Sequence, residues 1–174
     1  MTLLTKIYVY FSRNVILALL SLLLFAFSME LSAQEPPPRP VEVTVSQNLG
    51  FGAFAQGPSG GTVIINPIGA RSSTGDIILL NLGYSFSAAL FRLVANPGTV
   101  ISILNGSDIT LTGSNGGSMI LHIGASVPAS PFVISSTPPD YTVLNIGGTL
   151  SVGNSAANPP GSYNGVFYIT FIQE

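Results

Sequence analysis

The sequence predicts an all-β domain of immunoglobulin-like sandwich type, and three observations carry that reading. Short alternating apolar segments recur at roughly eight-to-twelve-residue spacing with turn residues between them, the pattern of a sandwich or barrel. Beyond the N-terminal region no window has a helical period. The chain closes on Gly147–Glu174, GGTLSVGNSAANPPGSYNGVFYITFIQE, whose end alternates aromatic and β-branched residues. Tyr163, Phe167, Ile169 and Phe171 share one face of this segment, and Val166, Tyr168, Thr170 and Ile172 the other. A strand apolar on both faces is expected to be covered on both, so the preceding chain must supply a second sheet. Phe167 and Phe171 are expected in the core, with Tyr163 packed near the start of the strand.

The N-terminal region reads differently. Lys6 and Arg13 precede an apolar run, Val15 to Phe27, of 13 residues. That is short for a membrane span and typical of a signal-peptide core. Cleavage is expected after Leu31-Ser32-Ala33, which makes residues 1–33 a signal peptide. An uncleaved anchor is the alternative, because apolar character extends upstream through Ile7, Val9 and Phe11. The chain has no cysteine, which rules out a lipoprotein anchor, disulfides and thiolate metal sites. Gln34–Pro40, QEPPPRP, reads as an extended proline-rich spacer. The sandwich is expected over residues 41–174, long enough to bury a core without disulfides.

Residues 34–174 carry three arginines against six acidic residues and no lysine, a net charge of −3. Three scattered arginines exclude a basic nucleic-acid surface. No membrane contact is expected beyond the signal peptide. The localisation implied is export, to the periplasm, the outer surface or the medium.

The strands follow in order. Val41–Val45 alternates Val, Glu, Val, Thr, Val and predicts a half-buried strand with Glu42 and Thr44 outward. Asn48–Phe54 continues it through a bend or bulge. Gln56–Gly61 reads as a turn and Thr62–Ile65 as the next strand, stopped by Asn66-Pro67. Gly69–Arg71 turns again, Ser72–Thr74 is a polar edge segment, and Asp76–Leu82 is strand-like. Ser85–Val94 sets Phe86, Ala88, Leu90 and Arg92 on one side and Ala89, Phe91 and Leu93 on the other. Asn96-Pro97-Gly98 is a turn. Thr99–Leu104 is a strand, and Asn105-Gly106 is a hairpin dipeptide. Ile109–Thr112, Met119–Ile123, Phe132–Ile134 and Tyr141–Ile146 are further strands. Ser114–Gly117 turns between the first two of these, and Gly147-Gly148 separates the last from a short strand, Thr149–Val152.

Two stretches, QNLGFGAFAQGPSGGTVIINPIGARSSTGDIIL and NIGGTLSVGNSAANPPGSYNGVFYITF, together resemble a family of secreted bacterial domains of unknown function, the 4402 family of such domains. The shared pattern is an NLxFG strand, a GGTV…P.G.R….G segment, then GGTLxVG……PGxYxGxFxVT, and it covers most of residues 43–172. The closing pattern is also similar to spore-coat-protein-U-like domains and, more distantly, to chaperone–usher pilus subunits. Gly161 and the alternating Phe167, Ile169 and Phe171 fit the pilin signature. Position 173 is Gln where that signature has Tyr. The family carries no catalytic residues, so none is transferred.

No reaction is written in the residues. Gly57-Pro58-Ser59-Gly60-Gly61 matches G-x-S-x-G, but a nucleophile elbow needs a helix after it, and Thr62–Ile65 reads as a strand. His122 is the single histidine and sits mid-strand. Asp76, Asp108 and Asp140 lack the spacing of a calcium loop, and no phosphate loop occurs. Asn105-Gly106-Ser107 matches a glycosylation acceptor and is read as a turn. The tyrosines and phenylalanines offer a carbohydrate platform on paper, but without tryptophan they read as core. No catalytic residue, cofactor site or metal site is therefore expected, and the chain is not expected to be an enzyme. The function expected is that of an exported structural or adhesion-type protein, a fimbria-like surface subunit acting by contact with copies of itself or related subunits. The alternative is a secreted binding module for a glycan or another small ligand. Val41–Leu49 is expected either to pair within its own domain or to complete a neighbour's sandwich.

Overall fold

The computed structural model describes residues 39–174 and, before them, Val15 alone. The expected signal peptide and residues 34–38 of the spacer lie outside the described residues. From Arg39 onward the chain forms one compact unit. It is the all-β sandwich that the alternation predicts, with no helix among residues 39–174.

Thirteen strands build it: β1 Glu42–Gln47, β2 Gly50–Phe51, β3 Ala53–Ile65, β4 Arg71–Leu80, β5 Phe86–Ser87, β6 Ala89–Val94, β7 Val100–Asn105, β8 Ile109–Gly113, β9 Ser118–Val127, β10 Phe132–Val133, β11 Thr142–Val152, β12 Tyr163–Asn164 and β13 Ile169–Gln173. The large sheet runs β1–β6–β11–β9–β8–β12, with β3 also beside β11 and β4 outside β3. The small sheet runs β10–β7–β13, and β2 pairs with β5. All the pairs between strands are antiparallel.

Strand β11 is the axis of the large sheet. Its first half, Thr142–Ile146, pairs with β6, and its second half, Gly148–Val152, pairs with β3. Strand β9 lies along its other side and shifts register between Ile146 and Gly148. Gly147-Gly148 therefore sits inside one continuous strand. The sequence reading of a break there is corrected: the glycines form an irregularity where one neighbour gives way to another.

Gln56–Gly61 is corrected in the same way. It is part of β3, which pairs with β4 on both sides of a wide bulge. Gln56 faces Ile77 and Gly61 faces Gly75, so Gly57–Gly60 stand opposite Asp76 alone. The Ser59 N–H donates to Asp76 Oδ2 at 3.1 Å and pins the bulge. Gly75 has φ +67°, and a Cβ there would lie 2.9 Å from the Gly61 Cα, so the two strands cross too closely for a side chain. Nor is Asn105-Gly106 a hairpin. It carries the chain from β7 in the small sheet to β8 in the large one.

The core lies between the sheets. Leu93, Leu144, Ile146, Val63, Ile65, Leu121 and Ile123 face inward from the large sheet, and Ile101 and Phe132 from the small one. Phe91 meets Phe171 edge-on, with ring centroids 5.6 Å apart. Asn158 is the buried polar side chain among the described residues, 2% exposed. It accepts from the Gly153 N–H at 2.5 Å and donates to the Ser118 and Ala157 carbonyls, so burial leaves none of its polar atoms unpaired.

The C-terminal segment departs most from expectation. It is two strands, not one: β12 pairs with β8 in the large sheet and β13 with β7 in the small sheet. The chain changes sheets across residues 165–168. Tyr163, Phe167, Ile169 and Phe171 share the core-facing side, as the alternation requires, but they are half-buried. Val166, Tyr168 and Ile172 on the other side are exposed. Coverage of both faces is thus corrected, because the small sheet has no third layer over it among the described residues.

Candidate functional site

The residues with chemically competent side chains stand apart. Ser59 is exposed in the bulge, with its N–H bound to Asp76, and a strand follows it. His122 Nδ1 lies 2.7 Å from Asp108 Oδ1 on the solvent side of β9, and both side chains are more than half exposed. Asp140 closes a turn by donating its N–H to the Thr137 carbonyl at 3.0 Å. The three aspartates thus have separate local environments, and no cluster of three or more acidic or histidine side chains is found among the described residues. Tyr84, Tyr141 and Tyr168 are exposed in separate connecting segments, with the Arg92 guanidinium 4.6 Å from the Tyr141 ring centroid. An open depression of about 290 Å³ is lined by Gln47, Pro67, Ile68, Gly69, Phe86, Ser87, Ala88 and Asn145, and Phe86 is its one aromatic.

Arg71, which the sequence places in the turn Gly69–Arg71, is a structural residue that opens β4. Its guanidinium donates to the carbonyls of Phe51 and Ala53 through Nη1 and of Leu80 through Nη2, at 3.1–3.2 Å. The same group lies 4.4 Å from the Phe86 ring centroid. It therefore ties β2, β3, β4 and β5 together where Gly52, at φ +67°, turns the chain between two strands. A Cβ at Gly52 would lie 2.5 Å from Arg71 Nη1, so the glycine makes room for the arginine. The NLxFG and G.R elements of the sequence pattern are two halves of one clasp.

The candidate site is a pair of sheet edges. Strands β1, β4 and β12 end the large sheet, and β10 and β13 end the small one. Natural edges are blunted by bulges, inward charges, proline or brevity. Strand β4 carries the charged Asp76 opposite the bulge of β3, and β10 and β12 are two residues long. Strand β13, ITFIQ, carries neither charge nor proline, and among the described residues its partner is β7 alone.

Strand β1 is uncovered as well. Val43 pairs with Leu93 and Val45 with Phe91, so each valine points to the inner face beside its partner. Leu93 is 0% and Phe91 6% exposed, yet Val43 is 38% and Val45 59% exposed. The expected half-buried strand is corrected: all six residues of β1 are exposed. The inner layer of the sandwich stops short of the β1 edge.

The two edges meet at one end through Gln173. Its Oε1 accepts from the Val41 N–H at 3.0 Å, and its Nε2 donates to the Arg39 carbonyl at 3.2 Å. Position 173 is where the residue pattern departs from the pilin signature, and only the fold reveals what the glutamine does.

Comparison with curated proteins and with solved structures finds no match. A family model described as a domain of unknown function, DUF4402, matches residues 41–172, which is nearly the whole described unit and most of the chain. The chain belongs to the DUF4402 family.

Proposed function

We propose that this chain is an exported structural protein that works by strand-mediated contact with further copies of itself or with related surface subunits. The observation that carries the reading is the adjoining pair of edges: β13 has no charge or proline, and β1, despite Glu42 and a register shift between Val45 and Gln47, leaves its inward-facing valines uncovered beside a buried row. Exposed edges with free main-chain groups are templates for pairing with another chain. The shortage of charge supports the same reading, because near-neutral edges lack the repulsion that keeps strands apart. The signal-peptide pattern of residues 1–33 and the likeness of the closing motif to pilus-subunit and spore-coat-protein-U-like domains add support from the sequence.

The test uses protein exported from bacterial cells expressing the full chain. Mass spectrometry is expected to find a mature chain starting near Gln34. Sedimentation velocity over a wide concentration range is expected to show assemblies that grow with concentration. Retained Met1 on membrane-bound protein would remove the export reading, and a strictly monomeric species at millimolar concentration would remove self-assembly.

A further inference from the structure

We propose that the depression on the outer face of the large sheet is a binding site for a neutral sugar, taken as the exposed end of a glycan chain. This goes beyond the strand-mediated reading and does not depend on it.

The fold builds the depression where β11 changes neighbours. Ile146 faces Ala89, the first residue of β6, and Gly148 faces Ile65, the last residue of β3. The sheet is notched between them, because the chain leaves β3 into a turn and reaches β6 from β5. The turn lends Pro67, Ile68 and Gly69 to one wall, and Phe86 and Ser87 of β5 form the other. Asn145 and Gln47 complete the lining, each paired with Leu90 from an opposite side. Asn145 points outward because Leu144 and Ile146 on either side of it are buried. Gln47 shares that face because the register shift after Val45 inserts one residue and reverses the alternation of β1. A volume of about 290 Å³ lies near the lower end of ligand pockets, about 300 Å³.

The lining is neutral and rich in carboxamide. None of its side chains is charged. Gln47 Nε2 donates to the Ala88 carbonyl at 2.9 Å, which fixes that amide and leaves its Oε1 to accept. The Asn145 carboxamide makes no hydrogen bond among the described residues, and neither of its polar atoms is sealed from solvent, so it offers both a donor and an acceptor. Phe86 adds an aromatic ring that is 44% exposed, with Ile68 exposed at the rim.

These features select the class of ligand. An ion finds no counter-charge, since the Arg71 guanidinium over Phe86 is spent on three carbonyls. A peptide strand needs main-chain partners, and the turn wall has few left. There the Asn66 and Gly69 N–H groups donate to the Ala70 and Asn66 carbonyls, and the Ala70 N–H donates to Asn66 Oδ1. A sugar meets both demands. Its hydroxyls donate and accept, as the two carboxamides do, and its C–H face packs on an aromatic ring.

The experiment follows amide chemical shifts of the exported protein while methyl glycosides of glucose, galactose, mannose and N-acetylglucosamine are titrated in separately. Adenosine and N-acetylglycinamide form two further arms. At least one glycoside is expected to saturate with a roughly millimolar Kd, the affinity of a small ligand with few contacts. The shifts are expected at Gly69, Ser87 and Asn145. Asn145→Ala is expected to weaken binding at least about tenfold with little change in melting temperature. Gln47→Ala, on an exposed strand, is expected to weaken it too, and it decides the matter if Asn145→Ala unfolds. Thr149→Ala lies on the same face of β11 outside the depression and is expected to leave binding unchanged. No saturation by any glycoside, shifts clustered elsewhere, or undiminished binding by the folded variants would overturn the proposal. Tighter binding of adenosine or N-acetylglycinamide would also overturn it, by making this a nucleoside or peptide site.

Discussion

Leu144→Ala is expected to lower folding stability by about 4 kcal/mol, within the range of about 2–5 kcal/mol for leucine truncation in a rigid core. Leu144 is fully buried on β11, opposite Phe91 of β6, in the row that faces the small sheet. Strand β11 is bonded on both sides, so its backbone has no freedom to collapse onto a lost side chain. Urea unfolding of the variant beside the parent measures the loss, provided the slope with denaturant is unchanged. The neighbouring Val143 points to the opposite, solvent side, and Val143→Ala is expected to cost less than about 1 kcal/mol. Equal losses at the two positions would mean that the faces of β11 have been assigned the wrong way round.

Arg71→Ala is expected to cost about 3 kcal/mol. The guanidinium serves three carbonyls on three strands and packs against Phe86, and hydrogen bonds to a charged group contribute about 1.5–3 kcal/mol each where solvent is excluded. Partial exposure of the site reduces that sum. Arg71→Lys is expected to recover only a small part of the stability, because an ammonium cannot reproduce the planar fork that reaches Phe51, Ala53 and Leu80 together. The same urea titration reads both variants. Full rescue by lysine would show that charge alone matters there and that the clasp geometry does not.

The alternation in the sequence carried the strands and their inward faces a long way. Ala89, Phe91 and Leu93 are buried together, and Leu90 and Arg92 lie on the other side, as their spacing requires. Two errors share a cause. Gly57–Gly61 and Gly147-Gly148 look like punctuation, yet both lie inside long strands, because glycine serves bulges and close crossings as well as turns. Asn105-Gly106 misled for another reason: a dipeptide sets a local bend and says nothing about which sheet the next strand joins. The open edges were out of reach for a third reason. Val43 and Val45 have the spacing of buried residues, and only the extent of the facing sheet shows that nothing among the described residues lies over them. Gln173 gave no signal, since its value lies in a contact with residues at the far end of the chain.

The placement of β13 bears on the order in which the molecule can fold. The small sheet consists of β7, a two-residue β10 and β13, so until β13 docks it has barely a pair of strands to lay over the core. Strand β13 is synthesised after every other described strand, and its partner β7 must wait for it. Strand β11, also late, is the one that joins β3, β6 and β9. Pairings this distant in sequence make loop closure precede reward, so neighbours such as β3 and β4 can pair early, but the sandwich is expected to close only when nearly all of the described unit has been made. A chain with that schedule is expected to lack its closed core while it is being synthesised, a state that suits the proposed export.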